Sequence, residues 1–320
     1  MNVKKLLPII GIAILLYILS TMDAGKIIDV FLRINIWYVL LSFFAIVPIL
    51  LLVNYEWQLI LKKHNIQVSY TYSLKNIFIG YFYGFITPGG LGGYTRAFYL
   101  KEESGETIQK CFANLLIFST LDYLTLLSLG ILGGFLLSSK FPNIFPIFLI
   151  LFIVMISSLV FFIRKDTGKL FFTKLLKSKS LIPYKDKWHV HINNLYEDIP
   201  TVKDLIPPFL VSFFGWFLWF SELYLISTLF SIDVPYHYFI LVIAVANVIA
   251  SLPITFHGLG TREAAMIGLF SIFGVGQENA LAFSLFWFVL FWLIPSLIGA
   301  GVTIHETRKN PTLFNKKPNS

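Results

Sequence analysis

The 320 residues contain one cysteine, Cys111. That excludes an intramolecular disulfide and any cysteine-built metal cage, and Cys111 itself reads as a small apolar helix residue. Charge is scarce as well, at 13% of residues. No Walker A, zinc-finger or dinucleotide fingerprint occurs, so neither a nucleotide-driven step nor a cofactor is expected within this chain. His189 and His191 form the only histidine pair at short spacing. Two residues apart, their rings point to opposite sides of a helix, and no third ligand is evident, so no metal site is expected. The formal charge of +8 would suggest nucleic acid in a soluble protein. Here the positive-inside bias of membrane proteins accounts for it, and no nucleic-acid partner is expected.

What the chain has is apolar surface. Hydrophobic residues make up 57%, and mean hydropathy is +0.76. A soluble domain cannot bury that much, so the chain is read as an integral membrane protein. Its 33 Phe, 15 Tyr and 7 Trp suit lipid contact and interfacial belts. Apolar spans of bilayer length run at about 6–22, 36–56, 111–137, 144–163, 206–231 and 280–303. The first follows Lys4 and Lys5, as a signal peptide would, but residues 20–24 make a poor cleavage site, and it is read as an uncleaved helix. Two further apolar regions, about 74–101 and 236–275, are each broken by glycine.

The expected fold is therefore an all-α integral membrane protein with six full transmembrane helices plus two re-entrant broken hairpins. With the N-terminus cytoplasmic and both broken regions returning to the side they entered, the cations sort cleanly. Twenty of the 25 Lys and Arg fall inside, and Lys26, Arg33 and Lys140 fall outside. Only Arg96 and Arg262 are left over. This predicts a multi-pass protein of the cell (plasma) membrane with both termini cytoplasmic. Residues 164–205 are then a basic cytoplasmic loop, able to dock a partner or anionic head groups.

The two breaks resemble each other. Residues 85–101 read FITPGGLGGYTRAFYLK and residues 252–270 read LPITFHGLGTREAAMIGLF. Gly90-Leu91-Gly92 matches Gly258-Leu259-Gly260, and Thr95-Arg96 matches Thr261-Arg262 with an offset of two. The first hairpin enters from the cytoplasm and the second from outside, each flanked by full spans. The expected organisation is a single transmembrane domain over 1–320. Within it, an inverted-topology repeat has one half at about 36–137 and the other at about 206–303, as in many secondary transporters.

Irregular backbone inside a bilayer is tolerated only where protein or water satisfies it, so the tips should line a cavity. Each returning half-helix starts near Thr95 or Thr261, with free N–H groups aimed at its tip. An arginine in that first turn is unfavourable for the helix unless an anion sits at the tip. The expected substrate-binding residues are Arg96, Arg262, Thr95, Thr261, Gly90, Gly92, Gly258, Gly260, Tyr94 and His257. Asp122, Glu222 and Glu263 are candidate counter-ions or coupling groups. Glu56 is expected to snorkel at the inner interface. No catalytic residue is assigned.

The pattern of Pro88, Gly92, Arg96 and Asp122, followed by GLGTREAA at 258–265 and by Pro295 and Gly299, resembles the flippase-like transmembrane domain of lysylphosphatidylglycerol synthases. The resemblance covers about residues 5–305. It implies a stand-alone member without the aminoacyl-transferring domain, similar to the half that moves lipid across the bilayer. Members of this kind are linked in some cases to polyprenyl-phosphate or glycolipid pathways.

Three functions follow as expectations. The first is transport of an anionic phospholipid or a polyprenyl-phosphate-linked lipid, with no enzyme activity in the chain. The second is an integral-membrane lipid-phosphate hydrolase using Thr261, His257 and Glu263. The third is a lipid-binding assembly subunit serving a partner enzyme of a lipid or glycolipid pathway. Membrane lipids with phosphate head groups are the expected ligands, and the sequence fixes no oligomeric state.

Overall fold

The computed structural model describes residues 7–136, 138–139, 142–175, 185–252, 255 and 258–309. Among these the chain is helical throughout. It opens with α1 (Leu7–Thr21) and α2 (Ala24–Leu32), then the long α3 (Ile36–Lys63). Next come α4 (Tyr70–Phe85), α5 (Arg96–Ser104), α6 (Ile108–Leu136) and α7 (Ile144–Ile163). The basic loop carries α8 (Lys165–Leu175) and α9 (Lys185–Leu195). The second half comprises α10 (Ile206–Leu229), α11 (Tyr236–Ser251), α12 (Thr261–Ser271), α13 (Gln277–Phe288) and α14 (Ile294–Lys309).

The boundaries follow local chemistry. Asp23, Asn35 and Ser69 cap α2, α3 and α4 by accepting backbone N–H groups. Gly105, at φ 73°, closes α5 in the left-handed conformation. A single 33-residue apolar rod joins α13 to α14 through a π-helical turn at Val289–Leu293. Among the described residues five helices are long and apolar enough to cross a membrane: α3, α6, α7, α10 with its leading turn, and the α13–α14 rod. The first expected span appears as α1, whose 15 residues rise about 22 Å against a core of about 30 Å.

Both glycine breaks lie between short helices, and the outer ends of each pair come together. Tyr72 on α4 donates to the carbonyl of Tyr99 on α5 at 2.8 Å. The rings of Tyr238 on α11 and Phe273 beyond α12 lie 5.1 Å apart. Polar contacts also sort by end of the molecule. Lys63–Asp204, Lys75–Glu306 and Lys110–Asp198 pair at one end, where Gln109 also bonds His191. Lys26–Glu278 joins segments assigned to the opposite side.

Two apolar clusters hold the bundle. The larger gathers Phe220, Phe239, Phe270, Phe283 and Trp287 from the second half. The smaller gathers Trp57, Leu61, Leu115 and Phe118 from the first. Small residues let helices approach closely. A Cβ on Gly299 of α14 would lie 2.0 Å from the carbonyl oxygen of Phe78 on α4, and one on Gly130 of α6 would enter the Phe148 ring of α7.

Candidate functional site

Between the two broken hairpins lies a cavity of about 330 Å³. Its walls are helical stripes with the spacing of one face. From α4 come Ile77, Gly80, Tyr81 and Gly84, and from α10 come Ser212, Gly215, Trp216 and Trp219. The α3 stripe runs from Ile46 to Glu56, and α6 adds Phe118, Asp122 and Leu126. The two tips meet beside it, where the Gly89 N–H donates to the Thr255 carbonyl at 3.1 Å.

The first tip is a 3-10 turn, Leu91–Thr95, entered through Gly90 at φ 71°. The Thr87 hydroxyl accepts from the Gly92 N–H at 2.6 Å and donates to the Tyr83 carbonyl at 2.9 Å. A Cβ on Gly92 would lie 2.1 Å from that carbonyl oxygen, so only glycine fits the turn. At the second tip Gly258 and Gly260 have φ of 74° and 86°. The Glu263 carboxylate folds back onto the Gly260 N–H.

The expectation of free N–H groups facing an anion is therefore not what the tips present. At the first tip the Gly90 and Gly93 N–H groups bond the carbonyls of Thr87 and Gly90. At the second, Glu263 caps the helix from within. Gly89, Gly90 and Gly93 line the cavity with backbone, and the charged groups there come from side chains.

Arg96 is 9% exposed and lies across Gly80, where a Cβ would come within 3.0 Å of its Cδ. Its guanidinium carbon sits 4.6 Å from the Trp57 ring centre and 5.0 Å from that of Phe118. Among the described residues the guanidinium makes no hydrogen bond or ion pair, and it faces the cavity. Two aromatic faces thus hold a cation whose donors remain available.

Arg262 is held differently. It is 1% exposed, ion-paired with Glu263, and donates through Nε to the Ser284 hydroxyl at 3.1 Å. That hydroxyl donates to the same Glu263 carboxylate at 3.0 Å. The Trp287 and Phe288 rings lie 4.9 and 5.3 Å from its guanidinium carbon. Only Nη1 has no hydrogen-bond partner among the described residues.

The structure brings Arg96, Arg262, Gly90, Tyr94 and Asp122 to one cavity. Asp122 accepts from the Trp216 indole at 2.8 Å. Gly92, Gly258 and Gly260 shape the tips. Thr95 bonds the Gly92 carbonyl and faces a shallow groove with Phe98 and Phe112. Thr261 lies 3.1 Å from the Gly258 carbonyl and 3.2 Å from the Thr255 hydroxyl. Glu222 is buried outside the cavity lining, both its oxygens without a partner among the described residues. His257 lies outside the described residues. Glu56 corrects its expectation: α3 runs on to Lys63, so Glu56 sits well inside the helix, buried against the cavity and unable to snorkel. Ser212, Trp216, Trp219 and Asn247 also line the cavity, and sequence reasoning passed over them. Polar residues in apolar spans, Glu56 and Asn247, were the available signal; the indoles looked like ordinary lipid contacts.

Over residues 6–299 the chain matches the family described as the lysylphosphatidylglycerol synthase TM region. The chain belongs to that family. It is also similar to UPF0104 membrane proteins of archaea. One from Pyrococcus horikoshii is 26% identical over 333 residues, covering 96% of this chain and 98% of the relative. One from Methanocaldococcus jannaschii is 24% identical over 323 residues, covering 92% and 93%. One from Methanothermobacter thermautotrophicus is 24% identical over 292 residues, covering 84% and 83%. With its apolar helices, membership of this family makes the chain a multi-pass membrane protein.

Proposed function

We propose that the protein moves a lipid with a phosphate-bearing head group across the cell membrane, and that the cavity between the two tips is where the head group passes. The observation that carries this reading is Arg96. It is buried, clamped by Trp57 and Phe118, and its guanidinium is unclaimed among the described residues. An arginine at bilayer depth is costly, by about 2.5–3.5 kcal/mol on the insertion scale, and it binds two phosphate oxygens at once. Arg262 adds its free Nη1 from the other tip.

A cavity of about 330 Å³ has room for a head group and not for acyl or prenyl chains. The chains stay in the bilayer, alongside α3, whose outer face exposes Leu41, Phe44 and Val47. In this reading the broken hairpins are re-entrant and the halves at 36–137 and 206–303 are inverted repeats in one transmembrane domain. Both termini and the basic loop are cytoplasmic. Tyr94 and the glycine turns shape the passage, and Thr95 and Thr261 brace it. The hydrolase reading gains nothing from the described geometry, because Glu263 and Thr261 are engaged within the tip and offer no free base or nucleophile.

The test is proteoliposome transport of labelled phosphatidic acid, phosphatidylglycerol and polyprenyl phosphate. Wild type should move at least one of them, and Arg96→Ala should lower the rate tenfold or more with its thermal midpoint little changed. Movement indifferent to Arg96, or none in the wild type, overturns the reading.

A further inference from the structure

The cavity holds acids as well as arginines. Glu56 on α3 and Asp122 on α6 line it together, and Ser212 on α10 faces both carboxyls. Glu56 and Ser212 are 1% and 2% exposed. Yet Glu56 Oε1 and Ser212 Oγ have no hydrogen-bond partner among the described residues. A buried polar atom left unpaired is costly. The Ser212 hydroxyl has one hydrogen and can donate to one carboxyl only; a proton on the other carboxyl supplies the second donor needed to join all three groups.

The charges point the same way. From α5, Arg96 is the cation that faces both acids. From α12, Arg262 reaches the cavity already paired with Glu263. Tyr81 on α4, Tyr123 on α6 and Tyr94 at the tip add hydroxyl groups to the lining. Trp216 on α10 donates a neutral indole N–H to Asp122. Two carboxylates thus face one available guanidinium, within walls of Trp, Phe and Leu. One added proton makes that corner neutral.

We propose that Glu56, Asp122 and Ser212 form a proton-binding site, whose proton count changes when a phosphate-bearing head group takes the Arg96 guanidinium. Before binding, Arg96 balances one carboxylate and a proton neutralises the other, with the Ser212 hydroxyl passing a hydrogen bond between them. When phosphate takes Arg96, the carboxylate it balanced loses its cation and takes a proton from water at the cavity mouth. One proton enters per lipid anion bound and leaves when the anion leaves. The inference rests on the transport reading for its anion; the proton site stands on the acids and the hydroxyl themselves.

The test uses the full chain in nanodiscs of zwitterionic lipid, with dioctanoyl phosphatidylglycerol as the probe, because its phosphodiester exchanges no proton over the range used. Binding is followed from pH 5.5 to 8.5, with proton uptake in weak buffer and the infrared band of protonated carboxyl recorded on the same samples. The expected result is uptake of about one proton per lipid, with affinity rising about tenfold for each pH unit lowered. The carboxyl band should be present without ligand. Glu56→Gln and, independently, Asp122→Asn should each lose the ligand-free band and keep the uptake on binding, and the double variant should lose both. Lipid binding without proton uptake overturns this proposal and leaves the transport reading standing. Binding that follows sodium in place of pH overturns it in favour of a metal cation. If the probe does not bind at any pH, the transport reading loses its support. The proton site then stands or falls on whether the band is present and vanishes in both variants.

Discussion

The two arginines show how neighbours set what one residue can do. Arg262 shares its charge with Glu263 and Ser284, so removing it strands a buried carboxylate and strikes at the fold first. Arg96 is held by ring faces and its guanidinium makes no hydrogen bond or ion pair among the described residues, so its removal breaks no direct polar contact, which makes it the better probe of function. A third buried group carries a pH signature. His64, at the end of α3, bonds the Glu197 carbonyl at 3.0 Å and lies 3.3 Å from the Asn114 amide, which in turn accepts from Trp57. Burial lowers its pKa from 6.5 to about 4. The unfolded chain therefore binds more protons than the folded one between those values. The stability this histidine contributes is full above about pH 6.5 and is lost as pH falls toward about 4. Thermal midpoints of the purified protein should fall across that window, and His64→Gln should flatten the decline. An unchanged slope in the variant would remove His64 as a cause.

At the scale of elements, packing depends on where a side chain is missing. The α14–α4 contact closes over Gly299, and Ser296 one turn earlier donates to the Tyr81 carbonyl at 3.1 Å. A methyl group at 299 would meet backbone, which cannot rotate away as a side chain can. Gly299→Ala should destabilise by about 1–3 kcal/mol, the usual cost of overpacking. Gly301, on the same helix, has nothing within 4 Å of its would-be Cβ. Gly301→Ala should cost nothing, or stabilise by a few tenths of a kcal/mol through helix propensity. Melting both variants beside wild type separates close approach from helix propensity. Equal effects would mean the α14–α4 contact is looser than it stands here.

For the whole molecule, charge distribution predicts orientation. Asp166 on α8 and Asp29 on α2 are both exposed. An impermeant maleimide added to intact cells should label Asp29→Cys and leave Asp166→Cys untouched, while buried Cys111 gives little background. The reverse pattern would invert the topology. Five of the six expected spans, the two glycine breaks and the arginines beside them were legible because each depends on local sequence. The cavity's other half was not. Glu56 lies on α3 and Ser212 and Trp216 lie on α10, and only the packing of those full-length helices brings them together. The internal capping of the tips was hidden too, since it depends on how tightly Thr87 and Glu263 fold back.

The π turn at Val289–Leu293 has a rotational consequence. Upstream, α13 presents Ser284 and Trp287 to Arg262; downstream, α14 presents Ser296 and Gly299 to α4. A π turn is an α-helix wound around one surplus residue, and each residue advances an α-helix by about 100°. Were that residue removed, the two faces would fall out of phase, and the rod could grip the second tip or the first hairpin but not both. It therefore works as a key that holds the rod's two gripping faces in phase.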